Sequence, residues 1–335
     1  MRKIESRGYR SRAIAIVAFA AAMTSATAAE TQGANAQTYP QRPIRLIVPS
    51  APGGPTDIPA RLLSQILPKL GQPVVIDNRP GAGGAIGARF VAASPPDGYT
   101  LLVGNTSVLA VIPAVSASAG YDPSQHFSAV AEFSESYQIL VVHPSMAAKT
   151  VGDLIAHAKA NPGKLNYAQT GAGGLPHLTG ELFRFAAGVD LVGVPYKSGA
   201  DSITGLLGAQ VDMTFESITI LLPLIREGRL RPLAVTSRTR TPLAEHLPTM
   251  IEAGVANFEV TTFNGIVAPA GTPRPIIERL NAIINEGLRT GEMQAGIRNL
   301  GAVPTPVSAA EFSAFIAAEG RKWSAVAKAA HVQID

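Results

Sequence analysis

The chain has 335 residues, 46% hydrophobic and only 16% charged, so it is long enough for two ordinary domains and too apolar to remain disordered. It contains no cysteine, which excludes disulfides, thiol nucleophiles and thiolate metal ligands. Residues 1–36 hold five basic and two acidic residues, leaving 23 basic against 22 acidic, and with no basic patch interleaved with aromatics no nucleic-acid partner is expected.

Arg2, Lys3, Arg7, Arg10 and Arg12 precede an apolar run at residues 13–23, followed by A-x-A matches at 26–28 and 34–36. This is the pattern of a secretory signal, with cleavage expected after Ala28 or Ala36. No later run is long enough to span a bilayer, so an exported, soluble, periplasmic protein is expected.

Residues 44–48 are a β-branched apolar run that reads as a buried strand. Prolines and the pair Gly53-Gly54 break it. Thr56 or Asp57 is positioned to cap a helix running to Leu70, with Ile58, Leu62, Ile66 and Leu70 on one face. Strand, glycine loop and helix N-terminus together offer free backbone N–H groups to an anion, although an ordinary βα turn has the same look. The pattern then repeats. A strand at 73–77 leads into a glycine turn and a helix with Ile86, Phe90 and Val91 inward, and a strand at 100–103 ends in the polar loop 104–107. Further strands are expected at 139–143, 165–168, 191–196, 211–215, 233–236 and 265–268. Helices are expected at 151–160, 177–187, 201–207, 218–227, 273–288 and 309–330, the last with Phe312, Phe315, Ile316, Trp323 and Val326 facing a core. Such alternation indicates an α/β fold with parallel sheets, whose ligands bind beyond the carboxyl ends of the strands.

Catalytic motifs are missing. There is no G-x-S-x-G elbow and no G-K-[ST] after a glycine run, and GAGGAIG at 81–87 fails the dinucleotide pattern at Ile86. His177 and Glu181, four apart, make half a metal site without a third ligand. No metal, cofactor or enzymatic activity is expected.

The segments IRLIVPSAPGGPTD, QPVVIDNRPGAGGAIGA, PPDGYTLLVGN, LVVHPS, PGKLNYAQTGAGGLPHLTGELF, VPYKSGAD, GAQVDMTFES, LRPLAVTS and APAGTP occur in this order. From about Tyr39 onward the chain thus resembles the Bordetella uptake gene family, the extracytoplasmic solute-binding receptors of tripartite tricarboxylate transporters. The resemblance implies an α/β, two-domain periplasmic-binding-protein fold (type II, Venus flytrap) with the ligand cleft between domains. Residues 37–138 and 263–335 would form one domain, and residues 139–262 the other. It implies a monomer that takes up a small organic carboxylate and delivers it to membrane transporter subunits. It places the ligand among backbone N–H groups, hydroxyls and waters of five loops. Carried onto this chain these are Ser50, Gly53, Gly54, Thr56 and Asp57; Asn105, Thr106 and Ser107; Thr170, Gly171, Gly173, Gly174 and His177; Ser198, Gly199, Ala200 and Asp201; and Glu216 with Ser217.

None of these loops contains an arginine, so an anion there depends on helix N-termini and hydroxyls. Asp57 reads either as a helix cap or as the counter-charge of an amino-bearing ligand. Glu216 stands where the family usually has Asp followed by Asn, and Thr262-Phe263-Asn264 replaces a stretch that is commonly aromatic with Trp. Both departures point to a ligand of different size or polarity. A sensor that reports ligand to a membrane signalling protein, or an exported α/β hydrolase or isomerase, are the alternative readings.

Overall fold

A computed structural model describes residues 39–334 apart from residue 55 and residues 171–173, so the expected signal region lies outside the described residues. The strands are β1 (Ile44–Val48), β2 (Val74–Asn78), β3 (Thr100–Asn105), β4 (Phe127–Val142), β5 (Asn166–Thr170), β6 (Val192–Tyr196), β7 (Met213–Ser217), β8 (Arg231–Val235) and β9 (Thr261–Pro269). The main helices are α1 (Asp57–Leu63), α2 (Ala85–Ala92), α3 (Val151–Ala160), α4 (Leu175–Ala187), α5 (Gly199–Leu207), α6 (Ile218–Arg226), α7 (Arg274–Leu288), α8 (Gly291–Asn299) and α9 (Ala309–Ala330). A π turn at Ser107–Val111 follows β3 directly.

The strands lie in the order β2-β1-β3-β9-β4-β7-β5-β6, with β8 also paired to β4. The short βα units are parallel, as expected: β1 with β2 and β3, and β5 with β6 and β7. The two long strands correct the expectation of purely parallel sheets. β9 runs antiparallel to β3 and β4, and β4 antiparallel to β7 and β8. The strand expected at 139–143 is only the last part of β4, whose 16 residues extend about 50 Å at the usual rise of a strand. Its first part, to Tyr137, pairs with β9; from Gln138 onward it pairs with β7 and β8. β4 thereby belongs to two sheet halves at once.

Each half is covered on both faces. In the second half Ile139 and Val141 point to a cluster with Leu206, Ile218 and Leu221, while Leu140 and Val142 point to one with Leu154, Phe183 and Phe258. That alternation buries a strand on both sides. In the first half Ile47, Leu102, Phe263 and Phe312 form the core.

Two helix faces differ from expectation. α1 stops at Leu63 and a 3-10 turn at Leu67–Leu70 follows, and Ile58 is 45% exposed. Steps of four residues drift about 40° each around a helix, so Ile58 and Leu70 cannot share a face. Ala60, Leu63 and Leu67 are buried along with the expected Ile66 and Leu70. In α2 the inward residues are Ala85, Ala88 and Val91, and Ile86 faces out.

Candidate ligand-binding site

The loop after β1 is organised by Asp57. Its carboxylate is fully covered: Oδ2 accepts from Gly53 N at 2.8 Å and Arg61 Nε at 2.7 Å, and Oδ1 accepts from Asn78 Nδ2 at 2.8 Å. Asn78 also donates to Ser50 O at 2.9 Å. The Arg61 guanidinium, then Asn78 and the Gly53 N–H, outweigh burial and hold the Asp57 carboxyl down at about 2. Asp57 is therefore neither a cap nor a pocket-facing charge; it ties the loop to helix and sheet. Gly53 takes φ +76°, a conformation that favours glycine. A Cβ on Gly54 would meet Ala51 O at 2.9 Å, so that glycine shapes the loop itself.

Thr56, at the start of α1, faces inward. Its Oγ1 accepts from Asn105 Nδ2 at 2.8 Å, leaving its own hydrogen for another acceptor, and Asn105 Oδ1 accepts from Val108 N at 2.9 Å. Thr106 turns away into the protein, where its hydroxyl donates to Thr261 O and accepts from Phe263 N.

The crossing strands supply the floor. In register, Asn105 on β3 lies opposite Asn264 on β9, which lies opposite Ser134 on β4. One step along, Thr262 faces Ser136, and beyond it Gln138 faces Ser217 on β7. Cross-strand partners share a face, so four adjacent strands present one row of amides and hydroxyls. This row borders a cavity of about 450 Å³. Thr56, Asn105, Thr106, Ser107, Glu216 and Ser217 line it, with Thr262 and Asn264 from the stretch that departs from the family, and with Ser134, Ser136, Tyr137, Gln138 and Thr219, which the five loops did not include. Leu175 and Pro176 bring the N-terminus of α4 to the rim, and Ser217 and Thr219 bring that of α6. The first N–H groups of a helix have no partner within it and favour negative charge. A larger groove of about 710 Å³ between β4 and α9, lined by Phe127, Ile316 and Gly320, is largely apolar and lies away from these loops.

Glu216 is 6% exposed. Its Oε1 accepts from Thr170 Oγ1 and Ser202 Oγ, each at 3.0 Å. Burial raises its pKa, and the hydrogen bonds from Ser202, Thr170 and the Ser217 backbone oppose that rise. Gly199 sits directly over the carboxyl, where a Cβ would stand 3.0 Å from Oε2.

Other expected residues lie elsewhere. Ser198 caps α5 through Asp201 N, and Ser198, Ala200 and Asp201 are exposed. Gly174 precedes α4 as its N-cap; Gly171 and Gly173 lie outside the described residues. His177 is half-buried, with burial lowering its pKa and the charge of Glu181 opposing that fall, and Glu181 also accepts from Tyr167 and Arg184. Among the described residues no cluster of three metal-ligating side chains occurs, and no helix is long and apolar enough to cross a membrane.

The model of the tripartite tricarboxylate transporter family receptor matches residues 60–332. The chain belongs to this receptor family. The protein BugT of Bordetella pertussis is 37% identical over 305 residues, 90% of this chain and 94% of that one. Among solved structures, R. palustris Rpa4515 with adipate is 36% identical with a TM-score of 0.72, covering 88% of this chain and 99% of that one. MatC from Rhodopseudomonas palustris, with bound malate, is 32% identical with a TM-score of 0.68, covering 86% and 99%. The fold is accordingly the two-domain α/β fold of periplasmic solute-binding proteins, and the family is one of receptors.

Proposed function

We propose that this receptor captures a small organic carboxylate in the periplasm and hands it to the membrane subunits of a tripartite tricarboxylate-type transporter, without chemical change. Residues 37–138 with 263–335, and residues 139–262, act as the two domains, joined through β4 and β9. Closure of the loops from both domains over the cavity favours the liganded state, since a ligand shifts a conformational equilibrium by its differential affinity for the two forms. The observation that carries this reading is the polar row across β3, β9, β4 and β7, flanked by the N-termini of α4 and α6. Amides, hydroxyls and helix N-termini supply hydrogen-bond donors for a carboxylate without a catalytic base or nucleophile. The adipate and malate bound in related structures belong to the same chemical class.

The test is native mass spectrometry of the protein purified without denaturation, followed by calorimetric titration with a panel of carboxylates. A stoichiometric carboxylate, or saturable binding of one, is expected. Ser136→Val and Thr262→Val, which block the row without touching a core cluster, are expected to weaken that binding at least tenfold. Absence of binding and of thermal stabilisation across the panel would overturn the reading.

A further inference from the structure

Behind the polar row, on the other face of β4, lies a buried group of carboxyls that the ligand site does not use. The bulge between Glu132 and Ser134 breaks the alternation of the strand, so Glu132 and Glu135 point the same way. Their partners on β9, Gly265 and Phe263, lie against Phe312 and Phe315 of α9, so both carboxyls are turned toward that helix. From α9 comes Glu319, 5% exposed, which accepts from Trp323 Nε1 and Lys322 Nζ.

Three carboxyls thus meet beneath α9, and the nearest cation is already taken. Lys322 donates to Glu319 and to the Glu259 backbone carbonyl, and the Glu259 carboxyl pairs with Arg238 at 3.7 Å. Glu135 accepts from the Tyr137 hydroxyl, whose pKa is raised by burial and then by the Glu135 charge. Glu132 is 3% exposed, and its Oε1 has no hydrogen-bond partner. The charges that act on it are those of Glu135 and Glu319, both negative. Nothing on β9 or in residues 300–308 titrates, and the charged residues of α7, Arg274, Glu278, Arg279, Glu286 and Arg289, are all exposed. A carboxylate at Glu132 would have neither water nor a counter-ion, whereas the carboxylic acid needs no counter-ion. Burial, and after it the Glu135 charge, raise the Glu132 pKa to about 10.

We propose that one proton, held by Glu132 against Glu135, latches α9 to β4, and that the two halves of the molecule loosen at this seam when the proton leaves. β4 runs through both halves, and α9 puts Phe312 in one core and Trp323 in another, so the seam lies where movement between the halves must pass. Loss of the proton sets Glu132, Glu135 and Glu319 together as three negative charges, with Lys322 to offset one. The latch does not depend on which ligand the cavity takes. In the unfolded chain Glu132 gives up its proton near the ordinary value of 4.5, whereas the folded protein keeps it to about 10. Its contribution to stability is therefore whole below the ordinary value and is lost as pH rises toward about 10.

The experiment compares urea unfolding of the full protein and of Glu132→Gln at pH 5, 7 and 9. Gln has the shape of the protonated acid and does not titrate. The variant is expected to gain on the wild type as pH rises, by at least about tenfold in the folding constant between pH 5 and pH 9. Glu135→Gln withdraws a charge that keeps the proton in place, so adding Glu132→Gln to it is expected to bring a smaller gain. Trp323 emission, reporting from beside Glu319, is expected to move to longer wavelength between pH 8 and pH 11 in the wild type and to stay in Glu132→Gln. A stability gap that does not change with pH, or a gain undiminished by Glu135→Gln, would overturn the proposal. Emission that behaves alike in wild type and variant would dispose of the latch. If Glu132→Gln does not fold, infrared spectra decide. The C=O band of a protonated carboxyl is expected in the wild type at pH 8 and is expected to vanish at a lower pH in Glu135→Gln. No such band, or one that Glu135→Gln leaves in place, would again overturn the proposal.

Discussion

Asp57 illustrates how a residue that looks functional in a loop can serve the loop itself. Three donors converge on its covered carboxylate, and two of them, from Gly53 and Asn78, fix the backbone that leads to Thr56 at the cavity. The Arg61 side chain is more than half exposed, so solvent weakens the ion pair and the hydrogen bonds matter more. Because the folded-state pKa lies below the ordinary value of 3.8, the native state binds the proton less readily than the unfolded chain. The resulting stabilisation is present above the ordinary carboxylate range and disappears as pH falls toward about 2. Asp57→Asn is expected to lose about 1–3 kcal/mol at pH 7, the usual range for a hydrogen-bonded charge. Urea titrations from pH 7 down to pH 2 should show wild type and variant converging at the acid end. A gap that stays constant through that window would assign the loss to shape and not to charge. The sequence showed Asp57 beside a glycine loop, but Asn78 and Arg61 became its partners only through the β1–β2 pairing and one helical turn.

At the scale of elements, the parts legible in the sequence were those governed by local chemistry. Glycine turns, the capped helix at Val151–Ala160 and the final helix at Ala309–Ala330 all appear where turn residues and periodicity put them. The first part of β4 was hidden for a physical reason. Register shifts between Ala129 and Ala131 and between Glu132 and Ser134 insert extra residues, so burial does not alternate: Phe127 is buried, Ser128 and Ala129 are not, and Val130 to Ser134 are buried without a break. A bulged strand loses the period of two by which strands are read. The same bulges set Ser134, Ser136 and Gln138 on the cavity side, so the stretch that was hardest to read carries much of the floor. The segment after α8 was equally invisible. Leu300 and Ala302 line the cavity, Val303 pairs with Glu135 on β4, and Thr219 at the start of α6 donates to Leu300 O at 3.4 Å. Gly301 there has φ +71°, and a Cβ on it would run into the Thr219 side chain. Gly301→Ala is expected to cost about 1 kcal/mol or more from the left-handed backbone alone. It is also expected to weaken carboxylate binding by prising α6 from this segment. Adding Thr219→Ala should restore part of the affinity but not the backbone cost. Titration of the single and double variants separates the two, and unchanged affinity in Gly301→Ala would show that this contact has no part in binding.

For the whole molecule, the decisive feature is that the sheet halves share more than β4 and β9. The helix α9, 22 residues and about 33 Å long, places Phe312 in the core of the first half and Trp323 with Val326 in a core cluster of the second. Trp323 is fully buried and donates from Nε1 to Glu319 Oε2 at 3.0 Å. Neither half can unfold while leaving α9 intact, so the two are expected to melt together. The chain contains a single tryptophan, which makes Trp323 fluorescence a reporter of the second half, while far-ultraviolet circular dichroism reports the whole. Coincident thermal transitions by the two probes are the expected result, as for a two-state unit. Saturating ligand should move both transitions equally, by the ~2.7 kcal/mol that mass action supplies at a hundredfold excess over Kd. Trp323→Ala is expected to cost about 3–5 kcal/mol, as large core truncations do, and in that variant dichroism should still show one transition at a lower temperature. Two separated transitions in the wild-type protein, with ligand moving only one of them, would mean that α9 does not couple the halves. Closure on the ligand would then be the only event that joins them.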